Sequence, residues 1–205
     1  MVTLAKAAPK SKVAAPERVP AVILFAETRG FTRTSAILPA PVVLARVSEF
    51  FALVRAAVEH HDGAVRNVLN DTLMASFAGR NGAQQAVQAA QEIQSAFSSF
   101  EESWGRDYGI RAAVAVGLHA GDAVIGAAGG PIPGQALVIG DCISIAERLL
   151  HRARAGEFVL SKTVMDALAA AGSALAAREL PPLDIPRREP IRLFGVLRDT
   201  RLDFT

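Results

Sequence analysis

Val22-Ile23-Leu24-Phe25-Ala26-Glu27-Thr28-Arg29-Gly30-Phe31-Thr32 sets the frame for the whole chain. Its first four residues are apolar and two are β-branched, which predicts a buried strand over 22–25. Polarity changes abruptly at Glu27, and Gly30 allows a sharp turn. A carboxylate therefore stands where a buried strand ends.

Downstream, Val43, Val47, Phe50, Phe51, Val54 and Val58 recur at helical spacing and predict a helix over 41–60. Pro41 suits its first turn and Asp62-Gly63 its stop. Strands over 64–69 and 73–77 follow, joined by Asn70-Asp71-Thr72 as a hairpin. A helix over 82–100 places Ala86, Val87, Ala90, Ile93 and Phe97 on one side. Strands over 110–118 and 123–127, a helix over 141–152, a strand over 157–160, a helix over 162–171 and a last strand over 190–196 complete the order. The β-α-β-β-α-β succession predicts an α+β, ferredoxin-like core, an antiparallel-rich sheet with helices packed on one face. Residues 1–19 lack a sustained period and read as a flexible tail or linker, 20–197 as one domain, and 198–205 as a C-terminal tail.

The chain has 205 residues, enough for one sizeable core, and its net charge of +2 is small. The dense basic run is Arg187–Arg188 with Arg192 nearby, too little for a nucleic-acid footprint, so no nucleic-acid partner is expected. Cys142 stands alone, which excludes an intrachain disulfide and fits a reducing compartment. No apolar run reaches the roughly 18 residues of a membrane span. The N-terminal region lacks a continuous apolar stretch before Pro9, so no signal peptide is expected. A cytoplasmic protein is the expectation.

Glu27 and Asp71 both stand at predicted strand ends, and in a ferredoxin-like sheet those ends can be neighbours. Paired carboxylates repel and call for a cation, and hard oxygen ligands suit Mg²⁺. Backbone N–H groups in the turn Gly30-Phe31-Thr32 would bind phosphate beside them. On spacing alone the two remain compatible with ordinary loop carboxylates, since acidic turn residues are common.

Four ordered blocks then carry a resemblance. They are Phe25-Ala26-Glu27-Thr28-Arg29-Gly30-Phe31-Thr32, His61-Asp62-Gly63 with Asn67 and Asn70-Asp71, Val116-Gly117-Leu118-His119-Ala120-Gly121, and Ile139-Gly140-Asp141-Cys142-Ile143-Ser144-Ile145-Ala146-Glu147-Arg148. Together with Pro181-Pro182-Leu183 and Glu189-Pro190-Ile191, they resemble class III nucleotidyl cyclase catalytic domains over roughly 20–197. GGDEF-type diguanylate cyclases share the architecture, but their signature loop is absent. The resemblance implies a head-to-tail homodimer with composite sites for ATP or GTP. It implies a metal pair at Glu27 and Asp71 holding Mg²⁺ or Mn²⁺, and base-selecting positions at Asn67 and Leu137. It further implies transition-state groups at Ser144 and Arg148, and phosphate contacts from Gly30, Phe31 and Thr32. The family's phosphate-binding Lys falls near Ile185, with Arg187 and Arg188 close behind.

Several positions depart from the family pattern. Glu27 replaces an Asp and lengthens the arm by one methylene, which Mg²⁺ geometry tolerates poorly. Asn67 and Leu137 remove the Lys and the polar partner that read a purine edge, so discrimination between ATP and GTP should be poor. Ser144 lacks the amide donor of the family's Asn. The expectation is a cyclase of reduced or absent activity, with a dimerising pseudo-cyclase that acts as a regulatory module as the alternative. An unrelated ferredoxin-like binding domain is the third reading. His60, His61, His119 and His151 are expected to be surface or packing residues, the side chains of the adjacent pair His60-His61 pointing different ways at a helix end. Cys142 is expected to be a small buried residue.

Overall fold

The computed structural model describes residues 17–127 and 136–197. Of the expected tail over 1–19, residues 1–16 lie outside the described residues, as does the expected C-terminal tail over 198–205, while 17–19 belong to a strand. The element order is β1 (Glu17–Arg29), α1 (Phe31–Ile37), α2 (Ala40–His60), β2 (Ala64–Leu69), β3 (Thr72–Ala78), α3 (Gly82–Tyr108), β4 (Ala113–Ala127), β5 (Ala136–Ile139), α4 (Asp141–Arg152), β6 (Glu157–Ser161), α5 (Lys162–Ala170), β7 (Arg178–Leu183) and β8 (Ile191–Leu197). β1 thus starts three residues ahead of the expected domain boundary.

One eight-stranded sheet runs β2-β3-β1-β4-β6-β8-β7, with β5 paired to β4. β1 is central and antiparallel to both neighbours, with Glu27 opposite Thr72 on β3 and Ala115 on β4. The sheet segment β4-β1-β3-β2 is the ferredoxin-like core, and the β4–β6 pairing is parallel.

β1 reads as a continuous apolar run because both its faces are buried. Val22, Leu24 and Ala26 join one core with Phe50, Val54 and Val58 of α2, Ile93 and Phe97 of α3, and Val164 and Leu168 of α5. Ala21, Ile23 and Phe25 point the other way, into a second core with Cys142, Ile145, Ala146, Leu149 and Leu150 of α4. The expectation of helices on one face therefore needs correction, since α4 covers the opposite face. The alternation of strand side chains leaves two apolar sets on β1, and each needs a cover.

Gly117 makes that second layer close. A Cβ there would lie 2.2 Å from the Leu150 backbone nitrogen and 2.5 Å from the Ala146 carbonyl oxygen. The α4 backbone rests directly on β4 at this point.

Other differences have local causes. β4 is one strand of 15 residues, where the sequence suggested a break at His119–Asp122. Its pairing with β1, from Arg29↔Ala113 to Glu17↔Ile125, carries it through. α3 continues two turns past Phe100, anchored by buried Trp104 against Phe97 at 6.4 Å, and stops at Gly109 with φ 64°. β7 contains Pro181-Pro182 and is an edge strand paired only to β8, where missing N–H donors are tolerated.

Candidate active site

β1 and the β2–β3 hairpin bring Glu27 and Asp71 to adjoining strand ends. Asn70, at φ 55°, makes the tight turn that sets Asp71 just before β3. Thr28, almost fully buried, donates its hydroxyl to Asp71 Oδ2 at 3.1 Å. Thr72, Glu27's partner in register, places its hydroxyl 3.5 Å from Glu27 Oε2. Each carboxylate is thus steadied by a threonine from the other's strand.

The other Glu27 oxygen accepts a hydrogen bond from Arg29 in an ion pair. Arg29 also donates to the Leu150 and Ala153 carbonyls, at 2.6 and 2.8 Å, where α4 ends. The Leu150 carbonyl also accepts the Ala153 N–H at 3.1 Å, so Arg29 shares it with the helix cap. Arg29 therefore ties the candidate metal ligand to α4. Burial pushes the Asp71 carboxyl above its ordinary value, although the Thr28 hydroxyl, the local backbone and the Arg29 charge all pull it down. A carboxylate held against its desolvation cost, beside a second one, is a donor set that fits a hard divalent cation. Arg29 would compete with that cation for one Glu27 oxygen.

Gly30, at φ 90°, turns the chain out of β1 and caps α1, so Phe31 and Thr32 open a short helix rather than a plain turn. Beside it, Arg29, Arg33 and Arg111 line a cleft of about 560 Å³ with Gly109, Ala113 and Ala155. Sequence reading missed this concentration of positive charge, because its arginines come from the end of β1, α1 and the approach to β4.

Ser144 and Arg148 lie four residues apart on α4 and are both exposed. Arg148 makes no ion pair among the described residues. Arg187 sits at φ 66° in the turn between β7 and β8, and is exposed. The neighbouring Arg188 carries the contact to α4, donating to Asp141 Oδ2 at 2.6 Å and holding that carboxyl below its usual value. The register of a basic pair in a loop gives no sequence signal for which member makes the contact.

Asn67 and Leu137 stand exposed on β2 and β5, whose nearest Cα atoms come within 8 Å. The Asn67 carbonyl oxygen accepts the Val68 N–H at 2.9 Å, next to an irregularity in the β2–β3 register.

Cys142 is fully buried and burial raises its thiol pKa, which leaves it an inert packing residue. His119 is buried too, with Nδ1 2.8 Å from Ser161 Oγ, and burial drops its pKa to about 4. His60 and His61 depart from expectation. They converge, with ring centroids 4.7 Å apart, because the helix ends at His60 and His61 leaves helical geometry.

A family model described as the adenylate and guanylate cyclase catalytic domain matches residues 13–191. The chain belongs to the adenylate and guanylate cyclase catalytic domain family. The cyclase domain is 28% identical to an adenylate cyclase of Anabaena cylindrica over 131 residues, 62% of this chain and 26% of that protein. It thus spans about a quarter of that relative's length. In fold it is similar to the adenylyl cyclase CyaB of P. aeruginosa, with TM-score 0.82 and 17% identity over 92% of this chain and 98% of that one. It is also similar to the guanylate cyclase domain of RhGC from Catenaria anguillulae in complex with GTP, with TM-score 0.76 and 15% identity over 87% and 97%. Catalytic domains of this family generally use divalent metal ions. No helix among the described residues is long and apolar enough to cross a membrane.

Proposed function

We propose that the cyclase domain converts ATP or GTP to the 3′,5′-cyclic monophosphate and pyrophosphate, in a homodimer, with turnover far below that of a family member with an unaltered site. The observation that carries this reading is the convergence of Glu27 and Asp71 at adjoining strand ends, each steadied by a threonine. The 3′-oxygen attacks the α-phosphorus, the bond to the bridging oxygen breaks, and pyrophosphate leaves as the 3′-proton is lost. Glu27 and Asp71 would hold Mg²⁺ or Mn²⁺, which when bound offsets charge on the triphosphate. Gly30, Phe31, Thr32 and Arg187 would position phosphate oxygens, and Arg148 would face developing negative charge.

A second copy of the chain completes each site, because α4's exposed Ser144 and Arg148 are to act on a nucleotide held by the partner's carboxylates. Val68 and Leu69 on β2 and Leu137 and Ile139 on β5 are exposed apolar residues close to the base-selecting positions, as an interface requires. The lone Cys142 supports a cytoplasmic setting.

Two observations favour the second reading, a pseudo-cyclase that dimerises and regulates. Arg29 already neutralises Glu27, and the Asn67 side-chain oxygen is already occupied by the Val68 N–H. The test is cyclic nucleotide formation with Mn²⁺ by the wild type and by variants carrying Glu27→Asp, Asn67→Lys, Leu137→Asp and Ser144→Asn, singly and combined. The enzyme reading expects low wild-type turnover that Asp71→Asn abolishes, a rise in the combined variant, and a base preference only when positions 67 and 137 both change. A folded, dimeric wild type with no Asp71-dependent product supports the regulatory module instead.

A further inference from the structure

α2 ends at His60, and His61 takes the C-cap position at φ −103°, ψ 32°. Consecutive residues on a continuing helix diverge by about 100° around the axis. Here the helix stops between them, so two adjacent side chains reach the same place. They do so with different nitrogens. His60 presents the near nitrogen Nδ1 and His61 the far nitrogen Nε2, which makes up for the different starting points of the two backbones. Both meet one oxygen of Glu92 on α3, Oε2, at 2.8 and 2.9 Å. The three ligand atoms lie within 4.8 Å of one another.

We propose that His60, His61 and Glu92 form a binding site for a divalent transition-metal ion of the Zn²⁺ class, separate from the Glu27 and Asp71 carboxylates, that clamps the end of α2 to α3. Two imidazoles and a carboxylate are the donor set of a borderline ion, whereas an all-oxygen set selects Mg²⁺. With metal–ligand bonds of about 2.0–2.2 Å, tetrahedral ligands lie about 3.3 Å apart. Oε2 would need to draw back from each nitrogen by about half an ångström to admit the ion. For His60 Nδ1 and His61 Nε2 to ligate, each ring would carry its proton on its other nitrogen, with the lone pairs of the nitrogens that now face Oε2 turned to the metal. His61 is largely covered, at 19% side-chain exposure, while His60 at 69% and Glu92 at 38% leave room for water to complete the shell.

The clamp lies just before β2, the strand that carries Asn67. It joins two helices that pack in the same core and are connected in sequence only through the β2–β3 hairpin.

The experiment is a Co²⁺ titration of the full chain without nucleotide, followed by visible absorption and then by Zn²⁺ displacement. One equivalent of Co²⁺ should give ligand-field bands that Zn²⁺ bleaches. Glu92→Gln keeps the shape of the side chain and should weaken Co²⁺ binding at least about tenfold. Asp71→Asn should leave the bands intact. Zn²⁺ at a hundred times the wild-type Kd should raise the wild-type melting midpoint by about 5–10 °C and that of Glu92→Gln by about half as much or less. Absence of the bands, an unchanged Co²⁺ affinity in Glu92→Gln, or loss of the bands in Asp71→Asn would each overturn the assignment.

Discussion

Arg29→Ala is the substitution with the widest consequences, because one side chain joins the candidate metal ligand to α4. The guanidinium donates to the Leu150 and Ala153 carbonyls and pairs with Glu27. Hydrogen bonds from a charged donor contribute about 1.5–3 kcal/mol each in buried settings. Arg29 is 27% exposed at its side chain and Glu27 17%, so the lower end applies. Removing the guanidinium also leaves the Glu27 charge without its partner, a cost that water reduces at this exposure. The expected loss is about 3 kcal/mol, equivalent to a fall of about 6–12 °C in melting midpoint for a domain of this size. Urea unfolding followed by circular dichroism reads it as a lower midpoint at unchanged slope. Glu27→Gln in the Arg29→Ala background should restore about 1 kcal/mol, because it neutralises the orphaned carboxylate. Mn²⁺ affinity should rise in Arg29→Ala, since a Glu27 oxygen loses its competitor. A loss under about 1 kcal/mol, with no recovery in the double variant, would refute the view that Arg29 bridges the site and α4.

Gly117→Ala should cost about 3 kcal/mol or prevent folding, because its Cβ would meet the α4 backbone at 2.2 Å, and thermal unfolding reads the result. Asp71→Asn should raise stability at neutral pH while ending metal-dependent turnover. The raised carboxyl pKa means that ionisation in the fold costs stability, so the gain should fade as pH falls through the raised pKa and be gone by about the ordinary value of 3.8, which a urea series against pH would follow. His119, depressed from 6.5 to about 4 chiefly by burial, with Asp141 raising and Arg188 lowering it, stays neutral in the fold while the unfolded chain takes a proton. Stability should therefore drop by about 3 kcal/mol as pH falls from 6.5 to 4, and His119→Gln should flatten that slope.

Elements with a strong period or clear punctuation were legible from the residues. The helix 41–60, the hairpin around Asn70-Asp71 and the helix 141–152 each coincide with observed elements to within a residue or two. What escaped reading depended on tertiary pairing. β4 runs through His119–Asp122 because β1 pairs along it, and β7 forms across two prolines because an edge needs fewer donors. The placement of α4 on the second face was also hidden, since a run buried on both sides does not show which helix covers which side. At the site, Glu27 and Asp71 could be singled out as strand-end carboxylates. Their threonine partners, the Arg29 bridge and the Arg188–Asp141 pair could not, because each contact joins residues far apart in the chain or selects one of two adjacent arginines.

α4 is divided between a face packed on β4 and a face open to solvent. Gly117, Cys142, Ile145, Ala146 and Leu149 lie in the α4–β4 interface and fix where α4 sits. Ser144 and Arg148 project from the exposed side of the same helix, and Asn67 and Leu137 are exposed on β2 and β5. Among the described residues no buried contact depends on Asn67, Leu137 or Ser144, so changing them should alter stability by no more than about 0.5 kcal/mol each. Glu27 differs, since its longer arm reaches Arg29 and Thr72 together. A gain of product in the combined variant can therefore be assigned to chemistry at positions 67, 137 and 144 directly. At position 27 it must be read against the stability of Glu27→Asp alone, because shortening that arm loosens the tie between the candidate metal ligand and α4.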